Sequence, residues 1–189
     1  MSTPVDKPNG LKPVRYSSGH AYNGACRKYY KSASVIIGIG DPVVLSGTAD
    51  SDGVPAVTRA AAGSGTISGV VVGIVADPDN LNKKRMEAAD SGYLLVADDP
   101  DLIFEIQEDG AVSQIAATAV GEFCDIVIAD ADANTGLSKC ELDSSNAGTG
   151  DQLRIVARVQ REDNDIGNVG TRWEVQINEH THKAVQTPI

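Results

Sequence analysis

The chain has few of the residues that most chemistry depends on. Its 189 residues include only three histidines, three cysteines and eight aromatic side chains. Cys26, Cys124 and Cys140 are odd in number and show no C-x-x-C spacing, which argues against a disulfide framework or a zinc ribbon. Reduced thiols in a protein made in a cytoplasm are expected. No apolar run approaches the roughly 18 residues of a membrane span. The first residues are polar and carry Pro4, Pro8 and Pro13 where a signal peptide would have its apolar core, so a soluble chain without membrane association is expected. Motifs are also lacking. There is no G-x-S-x-G elbow and no G-x-x-x-x-G-K-[ST] loop, and Gly38-x-Gly40 runs into Asp41-Pro42 where a dinucleotide site would open a helix. His20, His180 and His182 all lie in peripheral segments, leaving few general bases. Neither catalysis nor a cofactor is expected.

What is present is an uneven distribution of charge. The net charge is −10, yet residues 1–31 hold Lys7, Lys12, Arg15, Arg27, Lys28 and Lys31 against Asp6 alone, which makes that stretch +5 (6 − 1) and the remainder −15. Four of the eight aromatics, Tyr16, Tyr22, Tyr29 and Tyr30, share it. Arg and Tyr dominate buried contacts between proteins, and a segment of this composition does not fold alone. Three regions are expected: an extended basic, Tyr-bearing arm over 1–33, an acidic β-rich body over 34–182, and a tail over 183–189. The acidic body repels phosphate, so no direct nucleic-acid binding is expected.

From Ser34 onward, short apolar runs alternate with Gly, Asp and Pro. Strands are predicted at 34–39, 42–46, 66–75, 93–97, 102–107, 124–128, 153–160 and 172–177. In Leu153-Arg-Ile-Val-Ala-Arg-Val159 and Trp173-Glu-Val-Gln-Ile177 the alternation sets apolar residues toward a core and polar ones toward water. Asp52-Gly53, Asp77-Pro78, Asp99-Pro100 and Asp109-Gly110 mark turns. One short helix is predicted over 81–89, capped by Asp79 or Asn80, and a second over 112–120 where a strand competes. Residues 47–65, poor in large apolar side chains, are read as an exposed loop. The fold class is mainly β: an antiparallel β-barrel or β-sandwich body with one or two short helices and the arm. The predicted core includes Val70, Val72, Ile74, Leu94, Val96, Leu102, Phe104, Ile106, Ile126, Ile128, Ile155, Val159, Trp173, Val175 and Ile177.

Three polar groupings invite a chemical reading. Asp130, Asp132, Asn134 and Glu141 offer oxygen ligands at alternating positions with a distal carboxylate, the pattern of a calcium loop. Thr135 stands where that loop needs glycine, and a strand precedes it, so a polar turn is the favoured reading and no metal is assigned. His180-x-His182, with Glu174 or Glu179, is the other candidate metal group, and it lacks convincing ligand spacing. Asp98, Asp99, Asp101, Glu105, Glu108 and Asp109 are read as a solvated acidic edge.

Gly69-Val-Val-Val-Gly-Ile74, Tyr93-Leu-Leu-Val-Ala-Asp-Asp-Pro-Asp-Leu-Ile-Phe-Glu-Ile-Gln107, Asn134-Thr-Gly-Leu-Ser138 and Trp173-Glu-Val-Gln-Ile-Asn-Glu-His180 together resemble tailed-bacteriophage capsid decoration (cement, head-stabilising) proteins. The likeness spans roughly residues 34–182 and lies in strand-and-turn texture. It implies a small β body that binds the outside of an assembled shell, with the major capsid protein as partner and self-association as a trimer. It also implies no catalysis. On this reading Arg15, Tyr16, Tyr22, Arg27, Lys28, Tyr29 and Tyr30 anchor the protein to the virion's outer surface. The alternatives are a tail- or fibre-associated virion protein and a glycan-binding adhesion module.

Overall fold

A computed structural model of the chain describes residues 4–32, 34–110 and 113–183. Twelve strands carry the fold: β1 (Lys12–Tyr16), β2 (Arg27–Lys31), β3 (Pro42–Ala49), β4 (Pro55–Arg59), β5 (Gly69–Ile74), β6 (Tyr93–Ala97), β7 (Leu102–Gln107), β8 (Phe123–Cys124), β9 (Ile126–Val127), β10 (Glu141–Leu142), β11 (Leu153–Arg158) and β12 (Arg172–Ile177). They make a closed barrel in the order β2-β4-β3-β5-β6, a five-stranded sheet in the order β1-β7-β12-β11-β8, and the small pair β9-β10. The mainly-β expectation holds, and the architecture is a barrel joined to a sheet.

Each unit has its own core. Phe104, Ile106, Leu153, Ile155, Trp173 and Val175 belong to the larger one, and Tyr29, Ile37, Val43, Val57, Val71, Met86, Leu94 and Val96 form the barrel's. Burying each such side chain contributes roughly 1.5–3 kcal/mol, so alternation strong enough to expose one face per strand is enough to fold both units. Of the predicted core, Val72, Ile74, Ile128 and Val159 are only half-buried. A register shift between Val71 and Gly73 explains the first two: the strand turns mid-run, and Val71 takes the fully buried place.

The units meet where two chain segments touch. Gly10 and Gly40 both have left-handed backbone (φ 71° and 96°), and Leu11 N–H donates to Gly40 C=O at 3.0 Å. A Cβ on Gly10 would lie 2.4 Å from that carbonyl oxygen, so only glycine permits the approach. Beside it, the buried Asp41 carboxylate accepts Gly38 N–H at 2.7 Å and the Ser138 hydroxyl. Burial raises its pKa, and those two donors oppose the rise.

The basic N-terminal segment is extended, as expected, but it is no free arm. β1 pairs with β7 along Lys12–Tyr16, and β2 pairs with β6 along Arg27–Tyr30 and, in parallel, with β4. Its composition did not reveal these partners, which lie from 26 residues away (Tyr30↔Ala56) to 93 (Lys12↔Glu105), separations that only folding closes. The expected loop over 47–65 is in part a hairpin, since β3 and β4 pair from Val43↔Arg59 to Ala49↔Pro55. The expected helix over 81–89 is a series of turns. Asp77 Oδ1 accepts Asp79 N–H at 3.0 Å and Asn80 Oδ1 accepts Asn82 N–H at 3.3 Å, local bonds that compete with helical ones. Of the second helix only a single 3-10 turn, Ala117–Ala119, forms among the described residues. Predicted strand 34–39 reduces to isolated bridges at Ile37 and Ile39. The 183–189 tail lies, beyond Lys183, outside the described residues.

Candidate partner-binding surface

Alternation along β2 sorts its residues into two faces. Tyr29 points inward and is 4% exposed, and its hydroxyl donates to Asp98 Oδ2 at 2.7 Å. Burial and the Asp98 carboxylate push the phenol up to about 12. Lys31 is likewise buried, donating to the carbonyls of Ala88 (3.2 Å) and Asp90 (2.9 Å). Lys28 and Tyr30 take the outer face, where the register sets Tyr30 opposite Tyr93 of β6 and Lys28 opposite Leu95. The Tyr30 and Tyr93 rings meet edge-on, with centroids 5.9 Å apart at 64°, and the Lys28 ammonium sits 4.3 Å from the centre of the Tyr93 ring. Tyr93 donates its hydroxyl to Asp50 Oδ2 at 2.7 Å. That bond holds the Asp50 carboxyl below its ordinary range and pushes the Tyr93 phenol up. Asp50 itself is fixed by the β3–β4 turn, accepting the N–H groups of Asp52 and Val54.

The result is a preorganised stripe of Lys28, Tyr30 and Tyr93 on the outside of the barrel. Arg27 stands beside it with its side chain 73% exposed and its Nε 3.5 Å from Asp98 Oδ2. Ordered Tyr side chains give contact area at little entropic cost, because their rotamers are already selected.

Comparison of this chain with protein-family models, curated proteins and solved structures finds no match.

Only three of the seven sequence-predicted anchors therefore reach this surface: Arg27, Lys28 and Tyr30. Arg15 reaches across β7 to pair with Glu174 of β12 at 2.6 Å. Tyr16 and Tyr22 are half-buried against the larger core, and Tyr22 donates to the Ala25 carbonyl at 2.9 Å. Tyr29 belongs to the barrel core. Sequence reasoning missed Tyr93 and Asp50, because cross-strand register is what brings them to β2. The signal available for Tyr93 was its place as an aromatic on the outward parity of a strand.

The calcium pattern is not realised. Asp130 pairs with Arg59 at 2.8 Å, and Asp132 Oδ1 is saturated by the N–H groups of Asn134 and Thr135, both at 2.9 Å, and by the Thr135 hydroxyl at 3.2 Å. Glu141 lies on β10 and accepts from Gln107 Nε2 at 2.9 Å. His180 and His182 do come together, with ring centroids 5.6 Å apart, but His180 is buried and its Nδ1 accepts His182 N–H at 3.1 Å. Burial lowers its pKa, which keeps the ring neutral. Glu174 is held by Arg15 instead. Among the described residues no group of three or more His, Cys, Asp or Glu side chains is arranged to hold a metal ion.

The acidic edge is also revised. Glu105 is buried between Arg161 (3.0 Å) and Arg172 (3.5 Å), and Glu108 is fully buried, accepting Ile115 N–H and Trp173 Nε1–H. β7 is covered on both faces, because arginine side chains and the 6–9 segment lie over the face expected to be wet.

Proposed function

We propose that this protein is a non-enzymatic virion component that binds the outer surface of an assembled phage capsid, contacts the major capsid protein and stabilises the joints between shell subunits. The observation that carries this reading is the Lys28–Tyr30–Tyr93 stripe with Arg27 at its side, a cationic and aromatic surface held ready on a chain that is otherwise acidic. Its support also includes the fate of the carboxylates. The buried carboxylates Asp41, Glu105, Glu108 and Asp125 accept from backbone amides, a hydroxyl, an indole, a side-chain amide and guanidinium groups, so they serve the fold. A surface of this kind suits an acidic patch on a protein lattice, where many copies make modest contacts effective. Self-association as a trimer on the shell belongs to the same reading.

Co-sedimentation with undecorated capsid shells tests it. The full chain is expected to bind saturably, and Lys28→Glu combined with Tyr30→Ala is expected to lose affinity by at least about tenfold while melting at nearly the wild-type temperature. Binding by that variant equal to wild type would remove the stripe from the interface. Absence of binding by the wild-type chain would overturn the shell reading in favour of a tail-associated or glycan-binding role.

A further inference from the structure

The segment between β5 and β6 is an irregular loop, but it is firmly built. Lys83 Nζ spans Asp77 (2.8 Å) and Asp90 (3.4 Å), and Arg85 pairs with Glu87 at 2.7 Å while also donating to the Ala131 carbonyl. Lys84 Nζ donates to Asn134 C=O at 2.6 Å. Met86 is driven into the barrel core and bridges Ile37. This loop raises Leu81 to 78% exposure, the highest of the exposed large apolar side chains among the described residues. A scattered surface leucine needs no explanation. A leucine exposed on a loop that carries three ion pairs is held in place, as on binding loops.

A matching recess lies where barrel and sheet meet. Pro13, Ile39, Val72 and Leu137, all half-buried, give apolar walls to a cleft of about 430 Å3 over the buried Leu11 and Val71, with Tyr22 at one side. Lys12 stands at its mouth, exposed and without an ion-pair partner among the described residues. Asp79, two residues from Leu81, is exposed and its carboxylate is equally without an ion-pair partner among them. An apolar knob beside a free carboxylate thus complements an apolar cleft beside a free ammonium.

We propose that Leu81 of one copy of this chain docks into the barrel–sheet cleft of a second copy, with Asp79 set against Lys12. Knob and cleft are different surfaces, so the contact yields a reciprocal pair, a ring or an open chain according to the rotation between copies. The Lys28–Tyr30–Tyr93 stripe takes no part in it, so its failure and that of the shell reading are separable.

Sedimentation velocity of the full chain from about 1 µM to about 1 mM tests the proposal. Wild type is expected to associate with rising concentration, whereas Leu81→Asp stays monomeric. Lys12→Asp and Asp79→Lys are each expected to weaken association severalfold, and the double variant Lys12→Asp/Asp79→Lys to regain it. All three side chains replaced are exposed, so circular dichroism and melting temperature should match wild type. A wild-type chain that remains monomeric throughout overturns the proposal. So does Leu81→Asp associating like wild type, or a double variant no better than the singles. Shell binding measured on Leu81→Asp reads the stripe separately.

Discussion

Tyr29 and Tyr30 are adjacent in sequence and opposite in role. One seals the barrel and the other faces its outside, because side chains along a strand alternate. Tyr29→Phe keeps the packing and loses one charge-assisted bond to Asp98, so a cost of about 1–3 kcal/mol is expected in urea denaturation. Tyr29→Ala is expected to cost about 3–5 kcal/mol, as for a buried ring removed from a core. Tyr30→Ala should fall within about 1 kcal/mol of wild type. Glu141 carries a second residue-scale prediction. Burial, with Asp6 and Asp109 nearby, pushes its carboxyl from 4.5 to about 7 against the opposing bond from Gln107. The unfolded chain therefore releases that proton first, and Glu141 makes stability fall as pH rises from about 4.5 to about 7. Glu141→Gln has no proton to lose. Its melting temperature should decline less than wild type's across that window and stand above it at higher pH.

At the scale of elements, strands β6, β7 and β12 form over the residue ranges their alternation predicts. β1, β2, β4 and the two-residue β10 were not legible, the first three for two different reasons. β4 is short and flanked by Gly, Asp and Pro, whose local preference is for turns, and pairing with β3 overrides it. β1 and β2 are rich in Lys, Arg and Tyr, a pattern that composition alone cannot distinguish from an arm. Their place in the sheets has a consequence. Deleting residues 1–31 removes an edge strand from the five-stranded sheet and opens the barrel between β4 and β6. The truncated chain is expected to lose native β structure by circular dichroism and to aggregate through the exposed strand edges. A truncated form with the wild-type spectrum and melting profile would show that β1 and β2 are dispensable.

At the scale of the molecule, the two cores are joined at the Gly10–Gly40 approach and at the buried Asp41–Ser138 contact, and the cleft follows from that arrangement, whereas the candidate surface follows from the β2–β6 register within the barrel. The sequence by itself determined the fold class, the strand-and-turn texture, about half of the buried Val, Leu and Ile residues and the clustering of cation and tyrosine near the N-terminus. These rest on periodicity and composition, which are local. The tertiary structure alone decided that the basic segment is built into both units, that Tyr29 is core while Tyr93 joins the surface, and that Asp130 and Glu141 are claimed by Arg59 and Gln107. Each of those outcomes depends on which residue stands opposite which across strands or loops distant in the chain. That register is set by the burial of whole faces at once, so no local stretch of sequence contains it.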